Sequence, residues 1–238
     1  MHITHSEFIT DNIKDMPLWR YMDFWKFLSL LSTSKLFFAN VEMLGDQHEG
    51  RIPQKIYEMM LKEEQQSGQF FNSANNYKSM IENLRKTTFI CSWIASEKES
   101  FAMWKMYAKG KLGISVKSNY DRLKRAFAKA SEDIFIGEVS YYDIKKPFYR
   151  TDNTFYSFLV KHNYYDFESE VRCVTEIQDN PEGVSFKTID IDLNILIDEI
   201  YISPFALEIG FVEIIEFLKL RHQLDFKIRI SGVNDSWI

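Results

Sequence analysis

The densest run of chemically capable side chains is Asp166-Phe167-Glu168-Ser169-Glu170-Val171-Arg172-Cys173-Val174. In a strand, alternate side chains share a face. Glu168, Glu170 and Arg172 would then point one way, with Phe167, Val171 and Cys173 turned to the core. Two carboxylates one pleat repeat apart can divide the work of catalysis. One stabilises positive charge that develops on a substrate, and the other orients or deprotonates a nucleophile. Arg172 beside Glu170 would keep that carboxylate ionised. An ordinary Glu–Arg ion pair on a half-exposed strand has the same spacing, and that reading stays open.

Four other segments carry candidate chemistry. Leu18-Trp19-Arg20-Tyr21 places one arginine in an aromatic strand, where a guanidinium can grip phosphate or carboxylate in a bidentate manner or simply send its head into water. Asp46, His48 and Glu49 share a polar loop between Gly45 and Gly50; mixed oxygen and nitrogen ligands could hold a metal there, or the side chains are merely solvated. Cys91-Ser92-Trp93 and Met103-Trp104-Lys105-Met106-Tyr107 are aromatic enough to wall a pocket or to be plain core. His162 and His222 have no partner at metal spacing, and there is no HExxH, Cys/His cluster or phosphate-cradling glycine loop. No resident metal is expected.

Short elements must position these residues. A strand over Leu18–Met22 leads to Asp23, which can cap a helix over Phe24–Leu31. A second strand follows over Lys35–Ala39. Pro53 opens a helix to Gln66, and a further helix spans Ala74–Arg85, with Ser67–Ser73 between them as a mobile loop. Strands over Thr87–Trp93, Leu112–Lys117 and Ile134–Tyr142 alternate with helices over Glu97–Ala108, Tyr120–Ala130 and Phe155–Tyr164. Gly110 and Gly113 turn the chain between a helix and a strand. The last third reads as strands over Glu168–Glu176, Val184–Ile191, Glu199–Ile202 and Asp225–Ile230, with the longest helix over Phe205–Arg221. The order lacks a regular βαβ rhythm. It predicts a single α+β domain over residues 1–238, with a mixed, largely antiparallel sheet and peripheral helices.

Composition narrows the function classes. The chain has 238 residues, 45% apolar and 26% charged, within the ordinary globular range. A formal net charge of −5 argues against a general grip on nucleic acid; the run Lys117, Arg122, Lys124, Arg125 and Lys129 reads as the solvated face of a helix, with a local basic patch as the open alternative. Cys91 and Cys173, the two cysteines, lie in apolar strands and read as buried thiols in a reducing compartment. The polar segment Met1–Asp15 does not read as a signal peptide, and no apolar run approaches a membrane span. A cytoplasmic protein without membrane contact is expected.

The order of these segments resembles the bacterial family known as domain of unknown function 2971. Leu18-Trp19-Arg20-Tyr21, Leu36-Phe37-Phe38 and the acidic loop ending Glu49-Gly50 come first. Cys91-Ser92-Trp93, Met103 to Ala108, Gly113-Ile114-Ser115-Val116, Phe167 to Arg172 and Ile200 to Pro204 follow. That family's loop usually reads close to Asn-Asp-Pro-Phe-Glu, where this chain has Gly45-Asp46-Gln47-His48-Glu49. More distantly, the pattern is similar to ADP-ribosyltransferases: an early strand with an arginine, then a helix and strand, then Glu-x-Glu on a late strand. That similarity implies a split β core and NAD as a consumed substrate. Glu170 would stabilise an oxocarbenium-like ribose, Glu168 would orient the acceptor, and Arg20, with Tyr21, Trp93, Trp104 and Tyr107, would contact the nucleotide. It implies a transferase or NAD glycohydrolase, of defence or toxin type, acting on an unidentified acceptor. The second strand lacks the Ser-Thr-Ser of the arginine-class enzymes; Ser32, Thr33 and Ser34 lie just before it. A metal-dependent nuclease built on Asp166, Glu168, Glu170 or the Asp46/Glu49 loop, and a binding module docking partners on Trp93, Trp104 and Tyr107, stay open as alternatives.

Overall fold

The computed structural model describes residues 10–67, 73–108, 112–145, 147, 149–150, 153–206 and 209–234. After a short helix α1 (Asp11–Asp15), strand β1 (Pro17–Asp23) runs into α2 (Phe24–Thr33). Asp23 caps α2 as the sequence predicts: its carboxylate accepts from the Lys26 amide at 2.9 Å. Ser34 then turns through the left-handed region, φ 53°, and starts β2 (Lys35–Asn40). Helices α3 (Gln54–Ser67) and α4 (Ser73–Thr87) pair with each other before β3 (Thr88–Ala95). Residues 68–72 of the expected Ser67–Ser73 loop, and Gly110 of the expected glycine turn, lie outside the described residues.

The order continues with α5 (Phe101–Tyr107), β4 (Gly113–Asn119), α6 (Tyr120–Ala126), β5 (Phe135–Glu138) and β6 (Ser140–Tyr142). Ser100 caps α5, so that helix starts later than its apolar pattern suggests. Two expectations fail in the next stretch. Phe155–Tyr164 is not an α-helix: a 3₁₀ segment, Thr154–Leu159, leads to strand β7 (Val160–His162) and a second 3₁₀ segment, Asn163–Glu168. And β8 (Glu170–Glu176) starts only after Ser169, another left-handed residue with φ 43°. The chain ends with β9 (Phe186–Asp190), α7 (Leu193–Leu196), β10 (Glu199–Ile202), α8 (Phe211–Arg221) and β11 (Lys227–Ile230). Helix α8 has 11 residues and is shorter than α4 with 15, because Gly210 at φ 85° makes the N-cap and excludes Phe205 from the helix.

These strands build an α+β structure on a nine-stranded, mostly antiparallel sheet; β6 and β7 pair separately. The main core lies between the sheet and helices α2, α6, α7 and α8, where Phe27, Leu31, Leu123, Phe127, Leu196 and Ile215 are all buried. Smaller clusters fill the other side, one around Trp19, Tyr21, Met103 and Trp104 and one around Val41, Ile90, Phe158 and Val174. Among the described residues, no helix is long and apolar enough to cross a membrane.

The sheet is split. Along one edge β3 pairs with β8 from Thr88↔Glu176 to Ile94↔Glu170. Along its other edge β3 is shared by two strands that never meet. β1 pairs with it only at Leu18↔Ala95 and Trp19↔Ile94, and β2 only at Ala39↔Ile90 and Asn40↔Phe89. Between these points the Cys91–Trp93 edge would leave backbone groups without a ladder partner. Arg20 fills the gap. Its Nη1 donates to the Ser92 carbonyl at 2.7 Å and to the Cys91 Sγ at 2.9 Å, and its Nη2 donates to the Phe37 carbonyl at 3.3 Å.

Candidate active site

A cavity of about 750 Å³ opens at the split, within the range of small-molecule sites. Its lining includes Arg20 and Tyr21 of β1, Lys26 of α2, and Lys35 and Phe37 of β2. Glu49, Tyr107, Lys161, Tyr165, Glu168 and Glu170 line it as well.

The acidic side is a buried ion network. Arg172 is its centre, with 1% of its surface exposed. Its Nε and Nη2 donate to Glu170 at 2.8 and 2.9 Å. Nη1 and Nη2 each donate to Glu49 at 2.7 Å. Nη1 also donates to the Phe158 carbonyl at 2.8 Å. A guanidinium has five N–H donors, so Arg172 is saturated and has none left for a ligand. Lys161 bridges the same carboxylates, its Nζ at 2.6 Å from Glu168, 3.4 Å from Glu170 and 3.6 Å from Glu49. The Tyr107 hydroxyl donates to the other Glu168 oxygen at 2.8 Å.

Charge states follow from these contacts. Burial alone would push the Glu170 carboxyl up, but Arg172 and Lys161 outweigh it and hold it at about 2. Burial would lower Lys161, and Glu170 and Glu168 raise it instead. Burial, and then the bond to Glu168, push the Tyr107 phenol up, so it remains a neutral donor. Three carboxylates, Glu49, Glu168 and Glu170, thus face two cations, Lys161 and Arg172. Elsewhere in the lining, Arg20 among the described residues meets two carbonyls and a thiol and no carboxylate. Lys26 and Lys35 pair at 3.6 and 3.4 Å with Asp23 and Asp190, and Asp46 lines the cavity as well.

The fold explains how each group arrives. Glu49 sits on a loop anchored by the Asp46 carboxylate, which accepts from the His48 amide, and by Arg85 of α4, which donates to the Glu49 carbonyl at 3.0 Å. Gly50 follows at φ 64°, and a Cβ there would lie 2.8 Å from the Phe158 ring. The left-handed turn at Ser169 lets Glu168, at the end of a 3₁₀ segment, reach the same cavity as Glu170 on β8. The Tyr141 hydroxyl accepts from the Glu170 amide at 2.8 Å.

The sequence-predicted residues divide accordingly. Glu168, Glu170, Arg20, Tyr21 and Tyr107 all line the cavity. Trp93 and Trp104 do not. Both have 0% exposed surface, because Trp93 faces the main core and Trp104 packs edge-on to Tyr21 at 4.9 Å. A docking surface made of these tryptophans is therefore not formed. Phe167, expected in the core, is exposed because Glu168 and not Phe167 turns inward before β8. In the Asp46–Glu49 loop His48 points to solvent and Glu49 inward, so the three do not converge. Asp166 is exposed. His162 lies on β7 and stacks on Tyr164 at 4.3 Å. Sequence reasoning missed Glu49 as a partner of Arg172 and missed Lys161 altogether. The acidic loop ending in Glu49-Gly50, already part of the ordered resemblance, was the signal for the first. Cys91 and Cys173 are free, buried and direct partners across β3 and β8.

A scan against protein-family models finds no match, and a search of curated proteins finds no significant match.

Proposed function

We propose that this cavity binds a nucleotide and breaks its N-glycosidic bond, with NAD as the substrate class. The observation that carries the reading is the polarity of the cavity at the sheet split. Arg20, which among the described residues meets no carboxylate, offers positive charge for a phosphate, and Glu49, Glu168 and Glu170, three carboxylates around two cations, line the same cavity. Loss of a cationic nicotinamide ring leaves positive charge on the ribose. A preorganised, water-poor carboxylate group stabilises that charge more in the transition state than in the ground state. Glu170, held ionised by Arg172, supplies the field. Among the described residues Glu168 has Tyr107 and Lys161 as hydrogen-bond partners, so it keeps lone pairs free to orient the attacking hydroxyl or water. The more distant similarity of pattern to ADP-ribosyltransferases, an early strand with an arginine and a late Glu-x-Glu, supports the same assignment.

The nuclease reading is weaker. Lys161 and Arg172 already occupy the positions between the carboxylates where a divalent cation would sit. Among the described residues no group of three or more His, Cys, Asp or Glu side chains could hold a metal ion.

The test is nicotinamide release from NAD, followed by chromatography. Glu170→Gln is expected to lower the rate by about 10²–10³-fold, and Glu168→Gln by less, with circular dichroism and thermal unfolding showing that both variants fold. Wild-type protein that neither binds nor cleaves NAD, or a Glu170→Gln variant as active as wild type, rules the reading out.

A further inference from the structure

We propose that Phe37, backed by Phe186, is a stacking platform for a purine base and makes the cavity selective for a dinucleotide over a mononucleotide; this rests on the nucleotide reading above. Strand β2 alternates sharply. Leu36 and Phe38 are buried in the main core, whereas Phe37 between them is 48% exposed and lines the cavity. Phe186 on the edge strand β9 is 50% exposed and stacks on it, with ring centroids 5.2 Å apart and planes 22° from parallel. In the register Phe186 faces Ala39, so the two rings are diagonal neighbours on one face of the pair. Two half-exposed aromatic rings on a strand face that is otherwise polar bury little against the core.

The surroundings fit a base more closely than a generic apolar ligand. Lys35 lies two residues before Phe37 on the same face and also lines the cavity. Arg20 donates to the Phe37 carbonyl on one side and the Ser92 carbonyl on the other, and Ser92 pairs with Arg172 of the acidic group. The lateral order is therefore ring, guanidinium, carboxylates. From β2 across β3 to β8 is two strand spacings, about 10 Å. A ribose–pyrophosphate–ribose tether spans that distance, with the phosphates beside Arg20 and the cleavable ribose over Glu168 and Glu170. A base on Phe37 needs no specific hydrogen bonds, because every base has a π face.

Calorimetric titration of the wild type at position 37, Phe37→Ala and Phe37→Trp, all in the Glu170→Gln background so that neither ligand is consumed, with NAD and with nicotinamide mononucleotide, which lacks the purine half, tests this. Wild type should bind NAD about 10- to 100-fold more tightly than the mononucleotide. Phe37→Ala should bring NAD down to the mononucleotide's affinity and leave the mononucleotide's own affinity unchanged, while Phe37→Trp keeps the preference. An unchanged ratio in Phe37→Ala, or equal weakening of both ligands, overturns the platform and leaves the cleavage reading standing. If neither ligand binds the wild type, both fall together.

Discussion

Arg172 shows how much of this site is structure before it is chemistry. Its five hydrogen bonds hold Glu49, Glu170 and the Phe158 carbonyl around one buried cation. Replacing a buried ion pair whole is often tolerated, but removing one partner strands the other. Arg172→Met leaves Glu49 and Glu170 buried with Lys161 alone, so it should cost about 3–5 kcal/mol in urea-induced unfolding. Glu170 also sets an acid limit. Its carboxyl has an ordinary value of 4.5 and is held at about 2 in the folded protein. The folded state therefore favours the ionised form, and this contribution is complete above about pH 4.5 and is lost as pH falls towards 2. Stability measured between those limits should fall with acid in the wild type and fall less steeply in Glu170→Gln. An identical slope in the two proteins would mean that Glu170 is not the group responsible.

At the scale of elements, the short segments around the site are conformationally demanding. Gly50 combines φ 64° with a Cβ position 2.8 Å from a ring atom of Phe158, itself fully buried. Gly50→Ala should destabilise the protein by roughly 1–3 kcal/mol in the same assay, and should slow nicotinamide release because Glu49 precedes it. A fully stable, active Gly50→Ala would show that the loop can give. The strands and helices themselves were largely legible in the sequence, because the short apolar and aromatic runs of β1, β2 and β10 and the Asp23 cap are local signals. The Phe155–Glu168 stretch was not. Two 3₁₀ segments and a three-residue strand are too short for either periodicity to emerge, which hid Lys161 inside an expected helix. Strand β3 was legible as a strand but not in its facing. It is buried on both sides, so nothing in Cys91-Ser92-Trp93 says that Ser92, and not Trp93, meets the cavity.

Over the whole molecule, the site exists because β1 and β2 share one edge of β3 without meeting, and Arg20 bridges the opening. The sequence carried half of that arrangement. Arg20 and the Glu168–Glu170 pair stood out by residue type, and they line one cavity. The tie between Glu49 and Arg172 crosses 123 positions of the chain, and an ion pair at that separation leaves no local pattern. Nor does residue type alone reveal that three carboxylates share two buried cations. The most direct test of the central claim is a crystal structure of the folded Glu170→Gln variant grown with NAD. The nicotinamide ribose should lie over residues 168 and 170, with the phosphates at Arg20. NAD bound elsewhere, or a cavity left empty at concentrations where the protein is demonstrably saturated, would contradict the claim.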